Sequence, residues 1–207
     1  MSSGLRLSGR LSAARRELTE FHANAPRQFR PPPAAAALQR IVLTGFMGCG
    51  KSTIGRLLAR QLRWRFVDSD YEIERAADAS IAEIFRERGE PWFRELEHKT
   101  IHGLLQSGQI VLALGGGAIE DPRTRHLLLN EEGTRLIHLE ASLETVLKRC
   151  TGTEAFRPVL ADRPNLQARF ERRLPLYRQA HLTLRVDTLT PYAVIQTVMG
   201  KLGIASE

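Results

Sequence analysis

Short apolar runs alternate with longer helical stretches along most of the chain. Ile41-Val42-Leu43, Arg65-Phe66-Val67 and residues 110–114, 136–139 and 182–186 are brief and mostly aliphatic. Between them, segments such as residues 53–62, 81–85 and 96–105 carry apolar residues at the three-and-four spacing of one helix face. Strands alternating with helices predict βαβ units, hence a parallel sheet with helices on both faces. No internal repeat is visible. The pattern starts only after residue 40. Arg30-Pro31-Pro32-Pro33-Ala34-Ala35-Ala36-Ala37 reads as a stiff Pro-rich linker that cannot join a sheet. The chain therefore divides into a flexible N-terminal extension, residues 1–40, and a folded domain, residues 41–207.

Composition sharpens this division. The 207 residues are 43% hydrophobic and 26% charged, enough for one well-buried α/β core. The net charge of +7 is unevenly spread: residues 1–40 hold seven arginines against Glu17 and Glu20. The high isoelectric point belongs mainly to the extension, so it does not mark the folded body as a nucleic-acid binder. In the extension, Leu5, Leu7, Leu11, Ala14, Leu18 and Phe21 suit a short amphipathic helix. Three readings stay open there: a loosely attached tail, an Arg- and Ser-rich targeting segment, or a partner-binding helix. The two cysteines, Cys49 and Cys150, lack zinc-site spacing and read as free thiols of a reducing compartment. No apolar stretch approaches the ~18 residues that span a bilayer. The expectation is a cytoplasmic monomer whose partner is a small molecule, neither nucleic acid nor membrane.

The chemistry starts directly after the first apolar run. Gly45-Phe46-Met47-Gly48-Cys49-Gly50-Lys51-Ser52 is a complete G-x-x-x-x-G-K-[ST] loop that opens a helix. Its glycines let backbone N–H groups crowd around phosphate oxygens, Lys51 brings charge to the β/γ-phosphates, and Ser52 is placed to ligate Mg²⁺. In a parallel α/β sheet, ligands lie beyond the carboxyl ends of the strands. Asp68-Ser69-Asp70 follows the second run. Strand alternation, if it persists, puts both carboxylates on one side, beside the triphosphate, for Mg²⁺ and for an acceptor hydroxyl. The competing assignment is a cap on the next helix. Gly115-Gly116-Gly117 follows the third run and exposes bare backbone, with no acid at that strand end. Arg94 and Arg157 are further candidates for carboxylate or phosphoryl oxygens. His98 and His102 stand four apart on a predicted helix. A metal pair needs a third ligand, so they read as surface or packing residues.

Taken in order, these motifs resemble the shikimate kinases. The resemblance runs over residues 41–195 through the phosphate loop, Asp68-Ser69-Asp70, Ser80-Ile81-Ala82-Glu83-Ile84-Phe85, Gly89-Glu90 with Phe93-Arg94-Glu95-Leu96-Glu97, Gly115-Gly116-Gly117-Ala118, Arg157-Pro158-Val159-Leu160 and Arg173-Leu174-Pro175-Leu176-Tyr177. It implies a P-loop three-layer sandwich of the nucleoside-monophosphate-kinase type, with a five-stranded parallel sheet and a lid. It implies ATP with Mg²⁺, and transfer to the 3-hydroxyl of shikimate. Gly48, Cys49, Gly50, Lys51, Ser52 and Thr53 would hold the phosphates, with Asp68 reaching the metal through water. Asp70 would bind the attacking hydroxyl. Arg94 and Arg173 would clamp the acceptor carboxylate beside Gly115, Gly116 and Gly117. Arg157 would close over the γ-phosphoryl, and Arg149, with the Pro191 region, would flank the adenine. Two alternatives remain: a sensor that binds without transfer, and a kinase for another polyol acid such as gluconate.

Overall fold

A computed structural model describes residues 37–150 and 163–204. Five strands form one parallel sheet: β1 (Arg40–Thr44), β2 (Arg65–Asp68), β3 (Ile110–Ala113), β4 (Thr134–Glu140) and β5 (Leu182–Arg185). Their spatial order is β2-β3-β1-β4-β5. Seven α-helices connect or follow them among the described residues: α1 (Lys51–Leu62), α2 (Ser69–Ala77), α3 (Ile81–Leu105), α4 (Pro122–Asn130), α5 (Leu143–Cys150), α6 (Arg163–Tyr177) and α7 (Pro191–Leu202). Residues 1–36 of the extension, and residues 151–162, which carry Arg157 and the expected lid, lie outside the described residues. Arg40, expected in the extension, is instead the first residue of β1, and Gln39 N donates to Gly133 O at 2.9 Å.

The central strands are apolar, β1 at residues 41–43 and β3 throughout, because both faces are covered. Every residue of β1 and β3 is buried. β5 alternates half-buried and exposed positions, as an edge strand should. β1 pairs with β3 in the register Leu43↔Ala113 and with β4 in the register Leu43↔Ile137. The loops after β1 and β3 therefore leave the sheet side by side.

Two helix starts shape the site. Asp68 ends β2 and caps α2, its Oδ1 accepting from Asp70 N at 3.2 Å. The chain thus turns into a helix at Ser69, and strand alternation does not carry through to Asp70. Asp68 is thus the cap, and its other oxygen, Oδ2, accepts from Ser52 Oγ at 2.9 Å. Ser80 and Glu83 form a reciprocal capping box at the start of α3. The two predicted helical stretches, 81–85 and 96–105, join into this one element. It is broken at Gly89, whose φ of 79° and ψ of 170° are non-helical, just before Pro91.

Gly55 lets α1 sit close to β2. A Cβ at that position would stand 2.5 Å from the Phe66 ring, which Arg56 covers from outside at 5.1 Å. Gly55→Ala should therefore cost about 1–3 kcal/mol through overpacking. Thermal melting would read this as a drop of several degrees, and an unchanged midpoint would contradict it.

Candidate active site

The loop between β1 and α1 depends on glycine at three positive-φ positions: Gly45 (140°), Gly48 (73°) and Gly50 (107°). At Gly45 a Cβ would stand 2.6 Å from Leu139 O. Gly50 supplies no side-chain cap to α1. The first N–H groups of that helix are thus left to an anion. Lys51 Nζ donates to Gly45 O (2.8 Å) and Phe46 O (3.1 Å), which folds its charge back over the loop. Ser52 Oγ donates to Asp68 Oδ2 at 2.9 Å. Thr53 is exposed, and Cys49 is buried within the loop. Cys49 and Cys150 are both thiols, not joined to each other.

Asp70 projects from the first turn of α2 onto Gly115, where any Cβ would collide with its Oδ1. The same stretch is fixed from behind: Gly115 N donates to the buried Ser69 Oγ at 2.9 Å. Burial, seconded by the neighbouring Asp68 carboxylate, raises the Asp70 carboxyl to about 6; Lys51 and Arg94 act in the opposite direction.

The two sequence-distant arginines meet at Gly117. A Cβ on Gly117 would stand 2.8 Å from Arg94 Nη2 and 3.1 Å from Arg173 Nη2. Arg94 donates through Nη1 to Glu97 (2.6 Å) and through Nε and Nη2 to Glu90 (3.2 and 3.0 Å). Glu97 is only 1% exposed, and burial pushes its carboxyl up to about 7 despite Arg94. Arg173 donates through Nε and Nη2 to Glu120. The Tyr177 hydroxyl donates to Gly116 O, and its ring stacks on His138 at 5.1 Å. Burial holds His138 down at about 4, so it is neutral at neutral pH. Glu97, Glu120 and Tyr177 carry no assignment in the sequence reading. Glu97 has a local signal, three residues after Arg94 on a helix. Glu120 has none, because its arginine lies 53 residues away.

One cavity of about 840 Å³ lies beyond the carboxyl ends of β1, β2 and β3. Residues 47–54, Asp68, Asp70, Arg94, residues 115–117, Arg149 and Arg173 line it. Arg149 donates to Cys49 O (3.3 Å) and Val186 O (2.8 Å), beside lining residues Leu189 and Pro191. His98 stands apart, its Nδ1 3.0 Å from Thr124 Oγ1, and His102 is exposed.

A family model described as shikimate kinase matches residues 47–202. The chain belongs to the shikimate kinase family. It is an enzyme, a phosphotransferase with an alcohol group as acceptor, that uses ATP to phosphorylate shikimate. It is 40% identical over 166 residues to the shikimate kinase of Persephonella marina, covering 80% of this chain and 99% of that protein. Against the shikimate kinase of Nitrobacter winogradskyi the identity is 47% over 154 residues, 73% of this chain and 71% of that one. Among solved structures, the Acinetobacter baumannii shikimate kinase in complex with shikimate superposes with a TM-score of 0.74. It is 35% identical, and the match covers 83% of this chain and 97% of that one. Among the described residues, no helix is long and apolar enough to cross a membrane.

Proposed function

We propose that ATP and shikimate meet in this cavity with Asp70 between them, and that the acceptor is the 3-hydroxyl. One observation carries the reading: the Lys51–Ser52 loop and the Arg94–Arg173 pair open into the same space, with the Asp70 carboxylate against Gly115. The loop N–H groups and Lys51 bind the phosphates. Arg94 and Arg173 grip the acceptor carboxylate, helped by the Gly116 N–H, so that one hydroxyl is directed at Asp70. Asp70 orients that hydroxyl and takes its proton as the phosphoryl group departs. Catalysis is then positioning and charge neutralisation, with no covalent enzyme intermediate. Arg149 and the start of α7 flank the adenine.

Ser52 and Asp68 suit a magnesium ion. A hydroxyl and a carboxylate 2.9 Å apart form a hard oxygen pair beside the phosphate loop. Mg²⁺ characteristically takes one or two such oxygens, phosphate oxygens and water. When bound with the nucleotide, it neutralises charge on the β- and γ-phosphates.

The test is ADP release with a panel of hydroxy acids. Shikimate should be the preferred acceptor, with gluconate far behind; ligand binding without ADP release would favour a sensor. Arg94→Ala should raise KM for shikimate about 10²-fold while KM for ATP stays within threefold. Equal loss of both affinities, with a lower melting point, would assign Arg94 to folding instead.

A further inference from the structure

The acceptor end of the cavity poses an electrostatic problem. Two guanidinium groups converge on one glycine, Gly117, within 3.1 Å of the point where its Cβ would stand. Two like charges so close repel, and in an empty site they would splay unless an anion sits with them. Arg94 has two carboxylate partners on its own helix, Glu90 and Glu97. Arg173 has none on α6. Its one ion-pair partner among the described residues is Glu120, 53 residues earlier.

Glu120 lies in a 3₁₀ turn, Ala118–Glu120, directly after the triple glycine. Its Oε2 accepts from Arg173 Nε (2.8 Å) and Nη2 (2.6 Å) and stands 3.9 Å from Arg94 Nη2. Its Oε1 accepts from Arg172 Nε at 3.0 Å. The carboxylate thus takes the Nε edge of Arg173. Arg173 Nη1 lies by Gly116, 3.6 Å from the position of a Cβ there, and the Tyr177 hydroxyl interacts with the same guanidinium. That end of the fork faces the glycine backbone where an acceptor carboxylate would sit. Burial works against ionisation of Glu120, but the hydrogen bonds and charges of Arg173 and Arg172 outweigh it and hold the carboxyl below its usual range.

We infer that Glu120 is a positioning residue for the acceptor: it fixes the Nε edge of Arg173 and screens Arg173 from Arg94, so that both forks already converge before shikimate arrives. This rests on the reading that Arg94 and Arg173 hold the acceptor carboxylate. Preorganisation of this kind lowers the ordering cost of binding and leaves the chemical step alone. A group held by two hydrogen bonds from one side keeps its rotamer, whereas an unpaired arginine on a helix samples several.

The experiment uses the full chain with Glu120→Ala, Glu120→Gln and Arg173→Ala, comparing initial rates at varied shikimate and ATP. Glu120→Ala should raise KM for shikimate about tenfold, with kcat and KM for ATP within twofold of the parent. Glu120→Gln keeps the shape and one acceptor oxygen but loses the charge, and should fall between the two. If Glu120→Ala does not fold, Glu120→Gln carries the test: an unchanged KM for shikimate overturns the inference. A lower KM in either folded variant also overturns it, because Glu120 would then compete with the substrate carboxylate. A loss spread equally over shikimate, ATP and melting temperature reduces Glu120 to a purely structural role and overturns it too. Arg173→Ala separates the two levels: if it leaves KM for shikimate unchanged, the underlying assignment of the acceptor site fails. If it raises that KM and the Glu120 variants do not, only the role of Glu120 fails.

Discussion

Asp70→Asn is expected to lower turnover about 10³-fold and, at neutral pH, to raise the melting temperature. The first effect follows from proton acceptance, which contributes roughly 10²–10⁴-fold when a base is well placed. Asparagine keeps the hydrogen bond to the acceptor but cannot take its proton. With a carboxyl raised to about 6, the parent should show an acid limb in kcat/KM for shikimate centred near that pH. The active form is the carboxylate, so activity falls as pH drops through 6, and the Asn variant should lack that limb.

The stability effect has a definite sign. The folded Asp70 carboxyl titrates near 6, against 3.8 for an unperturbed aspartate. Between those values the folded state holds a proton that the unfolded state has lost, so stability declines as pH rises from about 4 to 6. Above pH 6 the buried charge costs on the order of 3 kcal/mol. Asparagine avoids that cost. The variant should melt several degrees higher at pH 7.5, with the gain gone near pH 4. A variant that turns over normally, or melts no higher at pH 7.5, would remove Asp70 from this role.

Lys51→Met is the second large effect. Turnover should fall about 10²–10³-fold, the range for losing one charge-stabilising donor. KM for ATP should rise while KM for shikimate holds. Met matches the stem of lysine but leaves Gly45 O and Phe46 O without their ammonium. Both residues are buried, so some loss of stability should accompany the loss of rate. There is a further signature in the pH profile. The Lys51 charge lowers the Asp70 carboxyl, so its removal should move the residual acid limb upward from about 6. Rates measured in a single turnover, across pH, would check both. A fall of less than tenfold, or an equal rise in both KM values, would contradict the assignment.

What the sequence revealed depended on how far each interaction reaches along the chain. The phosphate loop is contiguous, and its glycine positions are forced by backbone geometry, so the residues alone disclose it. The strands were equally plain, because covered faces call for short apolar runs in the centre and an exposed edge such as β5 for alternation. Asp68 and Asp70 both line the cavity, as the sequence led one to expect, but the route between them was not legible: the cap at Asp68 turns a presumed strand into a helix. The break at Gly89 had its signal in Gly89-Glu90-Pro91, yet nothing local shows that helix resumes in the same element. Arg94 and Arg173 were matched through family resemblance, since no periodicity links residues so far apart. Glu120 was invisible for the same reason, with no motif to rescue it. Its contact exists only because α6 and the turn after β3 pack at one end of the sheet.

The pairing of β1 with β3 has a consequence for how this catalyst can evolve. Leu43 stands opposite Ala113, and Leu114 N donates to Leu43 O at 3.0 Å, so the donor loop and the glycine platform depart from neighbouring rungs of one ladder. Strand spacing, about 4.8 Å, is a constant of the peptide chain. On the proposed reading, the separation between the phosphate loop and the glycine platform is thus set by the lattice of the sheet. Substitutions at the rim can retune which acid is held, and how tightly, without redrawing that interval.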